Sequence, residues 1–286
     1  MNTSTLYLHI PYCRQACHYC DFHFSTQRST ESALLEAMRN EITLRANQTP
    51  WSGTTLSSLY FGGGTPSFLD TAEIARLIAH AKSLFSFSST IEITLEANPD
   101  DITPEKLEAW HSMGITRLSV GLQSFDDHDL RSMNRAHNAA HSVQCLKWIA
   151  EGPIENYSVD FMYGMPGSSV ESWKDQLHLL ATYLPPHLSC YALTVEEKTV
   201  LHHQINSGET SQPSDEIIVA QFEALRAWAG LHGYTHYELS NFALPNKHSR
   251  HNSHYWSGRP YLGVGPGAHS FDGAQRWWNV SNNTLY

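Results

Sequence analysis

Thr5-Leu6-Tyr7-Leu8-His9-Ile10-Pro11-Tyr12-Cys13-Arg14-Gln15-Ala16-Cys17-His18-Tyr19-Cys20 joins a strand pattern to three cysteines within eight positions. Leu6, Leu8 and Ile10 alternate with Tyr7 and His9, the period of two that gives a strand one apolar face. The alternation recurs downstream. Ile91, Ile93 and Leu95 oppose Glu92, Thr94 and Glu96. Leu118, Val120 and Leu122 oppose Ser119, Gly121 and Gln123, and Tyr157, Val159 and Phe161 oppose Ser158, Asp160 and Met162. Strands are predicted to start near Thr5, Ser57, Ile91, Thr116, Tyr157, His187 and Thr235. Each interval leaves room for a crossover helix, so the fold class is α/β with a parallel sheet.

Helical stripes fill these intervals: Leu34, Met38 and Ile42; Ile74, Leu77, Ile78, Ala81, Leu84 and Phe85; Ile218, Phe222, Leu225 and Ala229. Asp70 and Glu73 read as a capping pair, and Thr103-Pro104 as a helix start. Parallel strands covered on both faces usually read as continuous apolar runs. Here one parity is polar. A sheet curled around a polar, ligand-filled lumen explains that pattern, with an ordinary open sheet as the alternative.

Of 286 residues, 41% are hydrophobic and 16% charged, and the net charge is −10. This composition supports a folded core and lacks the basic footprint of a nucleic-acid binder. No apolar run approaches the ~18 residues of a membrane helix. The first eight residues have no basic segment leading into a long apolar one, so no secretion signal is expected and the predicted location is cytoplasmic. The expected division is a barrel over 1–232 and an extension over 233–286.

Five cysteines are too few and too clustered for a disulfide scaffold. The C-x3-C-x2-C spacing of Cys13, Cys17 and Cys20 suits a soft metal or an iron–sulfur cluster. Three thiolates on a four-iron cluster leave one iron open. Structural zinc, with His9, His18 or His23 as a fourth ligand, is the competing reading. Cys145 and Cys190, in a helix and a strand, read as small buried apolar residues.

At Tyr7–Cys13 and Tyr19-Cys20-Asp21-Phe22 the chain resembles the radical S-adenosylmethionine (SAM) superfamily. More narrowly, it resembles the branch that holds oxygen-independent coproporphyrinogen III dehydrogenases and HemW-type heme chaperones. Phe61-Gly62-Gly63-Gly64-Thr65-Pro66-Ser67, Glu96-Ala97-Asn98-Pro99, Gly121-Leu122-Gln123-Ser124-Phe125, Asp160–Pro166 and His251-Asn252-Ser253-His254-Tyr255-Trp256 follow in the order that branch shows. The resemblance runs from about Leu6 to Trp278. It implies a partial (β/α)6-type barrel with a C-terminal extension, and a [4Fe–4S] cluster on Cys13, Cys17 and Cys20. It further implies SAM held by Tyr7, Tyr19, Gly63, Gly64, Thr65, Glu96, Gln123, Arg135 and Asp160. In the family, an electron passed through the cluster cleaves SAM to a 5′-deoxyadenosyl radical, which a closed lumen shields. The glycines are expected to bring backbone polar groups close to the ligand, and Pro66 to open the next helix.

Two functions compete within the branch. The dehydrogenase pattern carries a fourth cysteine two positions after the third, where this chain has Phe22. His251–Trp256 resembles the HNxxYW motif associated with heme, which implies a heme site of His251, Asn252, Tyr255 and Trp256, with His248 and His254 as rival ligands. The resemblance therefore implies a heme chaperone that binds a cluster, SAM and heme and passes heme to acceptor proteins. Coproporphyrinogen oxidase activity is not expected, and SAM turnover is left open. The dehydrogenase and a radical SAM methylase are the alternatives. The partners expected are heme acceptors, with no nucleic acid and no membrane-spanning segment; peripheral membrane association is left open. HemW-like chains carry a further small helical domain after this region, which this sequence is expected to lack.

Overall fold

Parallel strands joined by helices make the frame of the computed structural model, which describes residues 3–286. β1 (Thr3–Ile10), β2 (Thr55–Gly63), β3 (Ser86–Ala97), β4 (Arg117–Gln123), β5 (Tyr157–Tyr163) and β6 (His187–Ala192) pair in chain order, all parallel. Between them run α1 (Glu31–Ala46), α2 (Thr71–Leu84), α3 (Pro104–Ser112), α4 (Asp127–Ser132), α5 (Ala139–Glu151) and α6 (Val170–Leu180). Then come α7 (Val200–Asn206), α8 (Asp215–Leu231), β7 (Thr235–His236), β8 (Asn241–Ala243), α9 (Arg250–Trp256), β9 (Tyr261–Val264), β10 (His269–Phe271) and β11 (Arg276–Trp278).

Every predicted strand is present, and β3 starts earlier than Ile91, at Ser86. Its polar first residues still pair, Ser86 with Thr55 and Phe87 with Leu56, before the register slips. The sheet has eleven strands in the order β11-β10-β9-β1-β2-β3-β4-β5-β6-β8-β7 and does not close. Residues 233–286 are thus shared between its two edges. β8 lies antiparallel to β6, whereas β9 lies parallel to β1.

The apolar parity packs under the helices. Leu6, Leu8, Ile10, Leu95, Leu118, Val120, Leu122, Val159 and Phe161 are fully buried in one continuous core with Ile74, Leu77, Trp110 and Trp173. Burial of each large apolar side chain contributes about 1.5–3 kcal/mol. The polar parity faces the other way. There Tyr7, Glu96, Gly121, Gln123 and Asp160 are only half-buried, as expected of side chains facing a lumen.

Two local readings need correction. Asp70 accepts from the Ala72 amide at 2.8 Å, but Glu73 does not reach back to it. Its carboxylate pairs with Arg76 and Arg39, so the cap is one-sided. Pro66 opens only a single 3₁₀ turn, Pro66–Phe68, and α2 waits for Asp70. By contrast, Thr103 caps α3 by accepting from Lys106, with Pro104 at the first helical position.

Candidate cofactor site

The loop after β1 carries the three cysteines to the C-terminal rim of the sheet, where parallel α/β folds build their sites. Several bonds hold it. The Cys13 amide donates to Ser25 O at 3.0 Å and the His18 amide to Met133 O at 3.0 Å. Asn134 donates to Ala16 O at 2.7 Å and accepts from Gln15 at 2.6 Å. Arg14 spans Asp100 and Asp101 at 3.1 and 2.8 Å. These are the residues just after β3, and Ser67 after the glycines donates to Asp101 at 2.8 Å. The cysteine, glycine and β3 loops therefore form one hydrogen-bonded rim.

Beneath this rim lies a cavity of about 440 Å³, within the usual ligand-pocket range of about 300–1,000 Å³. Cys13, Cys17 and Cys20 line it together with Tyr19, Gly63, Gly64, Thr65, Glu96, Gln123, Arg135 and Asp160. Eight of the nine residues that the resemblance assigns to SAM thus meet the three thiols around one space. Tyr7 does not line it. Its hydroxyl lies 3.2 Å from His9 Nδ1 and its ring stacks on Tyr60, one layer deeper.

Each lining group has a physical reason for its place. Gln123 takes φ +68° where the β4–β5 register slips, which re-aims its side chain at the strand end. Glu96 accepts from the Tyr60 hydroxyl at 2.8 Å and from the Gly63 amide at 3.1 Å. Burial pushes its carboxyl up to about 7, with Asp160 adding repulsion against those two bonds. Burial likewise raises Asp160 to about 6, against hydroxyls of Ser189, Ser119 and Ser158 and the Arg117 charge. Two carboxyls of raised pKa facing one cavity suit a ligand that brings positive charge.

Arg135 read from the sequence as a residue whose role only the resemblance supplies. The structure makes it a bridge. Nη2 donates to Asn98 Oδ1 and Gly121 O, both at 2.8 Å, and Nη1 to Cys17 Sγ at 3.3 Å and Tyr19 Oη at 3.4 Å. Burial alone would lower its pKa, but Tyr19 and Cys17 beside it raise it, so the charge stays.

The amides of the glycine motif are engaged within the protein. The Gly63 amide is used on Glu96, the Gly64 amide on Ile10 O and the Thr65 amide on Tyr12 O. What the triplet supplies is room. A Cβ on Gly64 would sit 2.9 Å from the Tyr12 backbone and 3.0 Å from Cys13 Sγ, and one on Gly63 2.8 Å from the His9 ring.

The three thiols share the cavity wall and are free of disulfides. Burial pushes the Cys13 and Cys20 thiols up to about 11, so taking up metal releases protons. His9 is spoken for: Nε2 lies 2.9 Å from His23 O, and Nδ1 faces Tyr7. Phe22, at the position of the dehydrogenase pattern's fourth cysteine, also lines the cavity and is 68% exposed. Cys145 and Cys190 are buried away from it in α5 and β6.

The residues assigned to heme lie apart from the cysteine cavity. All sit on α9, and none lines the cavity. His251 turns toward the sheet, with Nδ1 2.9 Å from Ser58 Oγ and its ring 4.7 Å from that of Tyr60. Asn252 donates its amide to the Ser249 cap. Tyr255 and Trp256 are on the surface, and Trp256 is 68% exposed. Of the rival ligands, His254 is buried with Nε2 3.1 Å from Pro260 O, while His248 stacks on Tyr237.

Three residues that matter here were given no site role from the sequence: Tyr60, Asn98, which stands only inside a quoted motif, and Glu92, which stands only on a polar strand face. For Tyr60 the signal exists, since Ser58, Tyr60 and Gly62 alternate with Leu59 and Phe61.

Residues 7–180 match the radical SAM superfamily. The chain is 34% identical, over 98% of its length, to the heme chaperone HemW of Mycobacterium tuberculosis, and covers 73% of that protein. It is 34% identical to HemW of Bacillus subtilis, covering 96% of this chain and 72% of that one. Among solved structures, coproporphyrinogen III oxidase (HemN) from Escherichia coli superposes with a TM-score of 0.86 at 26% identity. That match covers all of this chain and 68% of the other. Among the described residues no helix is long and apolar enough to cross a membrane.

Proposed function

Because the chain belongs to the radical SAM superfamily and, within it, to the HemW family, we propose that it binds a [4Fe–4S] cluster and SAM in the cavity under the cysteine loop. We propose further that it carries heme to acceptor proteins. The observation that carries the first part is the convergence of Cys13, Cys17 and Cys20 with Glu96, Gln123, Arg135 and Asp160 on one cavity. Cys13, Cys17 and Cys20 would hold the cluster, which would supply one-electron chemistry to SAM bound beside it. The chain's own residues do the rest. Glu96 and Asp160 supply anionic oxygens for the ligand's positive charge and its hydroxyls, and Arg135 supplies a fixed cation. Gly63 and Gly64 let His9, Tyr12 and the Cys13 sulfur pack closely against the end of β2, which seats the cysteine loop over the cavity.

The assignment to heme carriage and not to coproporphyrinogen oxidation rests on Phe22. An apolar, exposed ring at the cavity mouth replaces a thiol that the dehydrogenase pattern provides. The test is anaerobic reconstitution with iron and sulfide, followed by SAM calorimetry, heme titration and incubation with coproporphyrinogen III. A cluster, SAM binding and a saturable heme absorption band without protoporphyrinogen formation are expected. Protoporphyrinogen formation would assign the chain to the dehydrogenase reading instead.

A further inference from the structure

Helix α9 packs against the lumen face of the sheet at the N-terminal half of the strands, one layer under the cavity. Its hydrogen bonds to the sheet fall on β2 and β3, and the His251 ring also lies 6.2 Å from that of Tyr7 on β1. Glu92 of β3 accepts the amides of Arg250 at 3.0 Å and His251 at 3.1 Å, an anionic partner at a helix N-terminus. Ser249 caps the same turn. Ser58 of β2 holds His251 Nδ1. The imidazole so anchored lies on the Tyr60 ring, centroid to centroid 4.7 Å and tilted 34°. Tyr7 stacks on Tyr60 from β1, at 5.9 Å. Tyr60 is thus held by His251 and by Tyr7, and its hydroxyl ends on Glu96.

We propose that His251 is a positioning residue for the cavity carboxylate: anchored on Ser58, it seats the Tyr60 ring so that the phenol keeps its bond to Glu96. This deepens the SAM-site reading and rests on it. It makes α9 the floor of that site and gives the motif histidine a task inside the lumen. The groups that act on Glu96 come from four strands: Tyr7 of β1, Tyr60 of β2, Asp160 of β5 and Tyr191 of β6. Among the described residues only the Tyr60 hydroxyl and the Gly63 amide hydrogen-bond to it. His251 adds no charge of its own, because burial lowers its pKa to about 3. Its influence on Glu96 passes through Tyr60.

The test reads Glu96 directly in cluster-loaded protein without SAM. The pH midpoint of its protonated-carboxyl infrared band is identified as the band lost in Glu96→Gln. Tyr60→Phe removes a donor to the anion and is expected to raise the midpoint by roughly one pH unit. His251→Ala is expected to shift it in the same direction. Ser58→Ala should do so too, and it leaves the lumen volume almost unchanged should the histidine variant fold poorly. In the Tyr60→Phe background, His251→Ala should add nothing further, because the seat has no phenol left to position. A midpoint that stays or falls in both His251→Ala and Ser58→Ala overturns the proposal. So does a histidine shift that adds in full to that of Tyr60→Phe. Heme titration of His251→Ala runs beside it: retained heme binding is expected, and lost heme binding with an unmoved Glu96 midpoint assigns the imidazole to heme. Failure of the underlying reading would appear separately, as wild-type protein that does not bind SAM.

Discussion

Arg135 donates to the sulfur of Cys17 at 3.3 Å, while its other terminal nitrogen bonds Asn98 and Gly121 at 2.8 Å each. One planar fork therefore ties the middle cysteine to the ends of β3 and β4. A lysine presents a single ammonium and cannot hold both sides at once. Arg135→Lys is expected to lose about 1–3 kcal/mol of stability and to hold less iron after reconstitution. Thermal melting and iron analysis check this. Wild-type melting together with wild-type iron would show that the fork is not needed.

The three rim cysteines and the two core cysteines should separate cleanly. Cys17→Ala is expected to lose the four-iron cluster, because two thiolates remain. Cys145→Ala should keep the full iron and sulfide content, since Cys145 is buried in α5 among apolar residues. Its cost should appear in melting alone, as for other buried side chains that lose one heavy atom. Iron and sulfide analysis of both variants decides. Zinc in preference to iron in the wild type would reject the cluster.

Gly63→Ala meets two obstacles at once. The backbone sits at φ +113°, and the new Cβ would lie 2.8 Å from the His9 ring, whose Nε2 faces His23 O at 2.9 Å. Strain of this kind costs about 1–3 kcal/mol, so melting should fall. Gly64→Ala has no positive φ, but its Cβ presses on the Tyr12 backbone and Cys13 Sγ. It should impair cluster loading more than its effect on melting suggests. Equal losses of iron in the two variants would argue that general loosening, and not the Cys13 contact, is responsible.

Strand parity made much of this site readable. Tyr7, Glu96, Gln123 and Asp160 fall on the polar parity, and the structure points that parity at the lumen, because the opposite parity is too apolar to do anything but pack under helices. Arg135 was legible only by resemblance, since it lies in a loop and its partners are far away in sequence. The role of α9 was not legible at all. His251, Tyr255 and Trp256 look like one aromatic site on paper. The helix turns the first toward Ser58 and Tyr60 and leaves the other two exposed, and that choice depends on Glu92 lying 158 residues upstream of Arg250. The edges were hidden for the same reason. Nothing local says that β8 joins β6 while β9, on the far side of α9, crosses to β1.

The two lumen carboxyls make stability depend on pH in a direction opposite to ordinary salt-bridged acids. The fold raises Glu96 from 4.5 to about 7 and Asp160 from 3.8 to about 6, by burial above all. Between each pair of values the folded chain holds a proton that the unfolded chain has released. These groups therefore favour the fold at low pH, and their contribution falls as pH rises, for Glu96 between 4.5 and about 7. The urea midpoint of protein without SAM, followed from about pH 5 to about pH 8, should include this decline, and Glu96→Gln should flatten it. Asp160→Asn should flatten the earlier part of the curve. A ligand that brings positive charge favours the ionised carboxylates, so added SAM should stabilise the protein more at the upper end of the range than at the lower. A Glu96→Gln curve parallel to that of the wild type, or a SAM effect that fades as pH rises, would mean that Glu96 does not titrate in the lumen as its surroundings require.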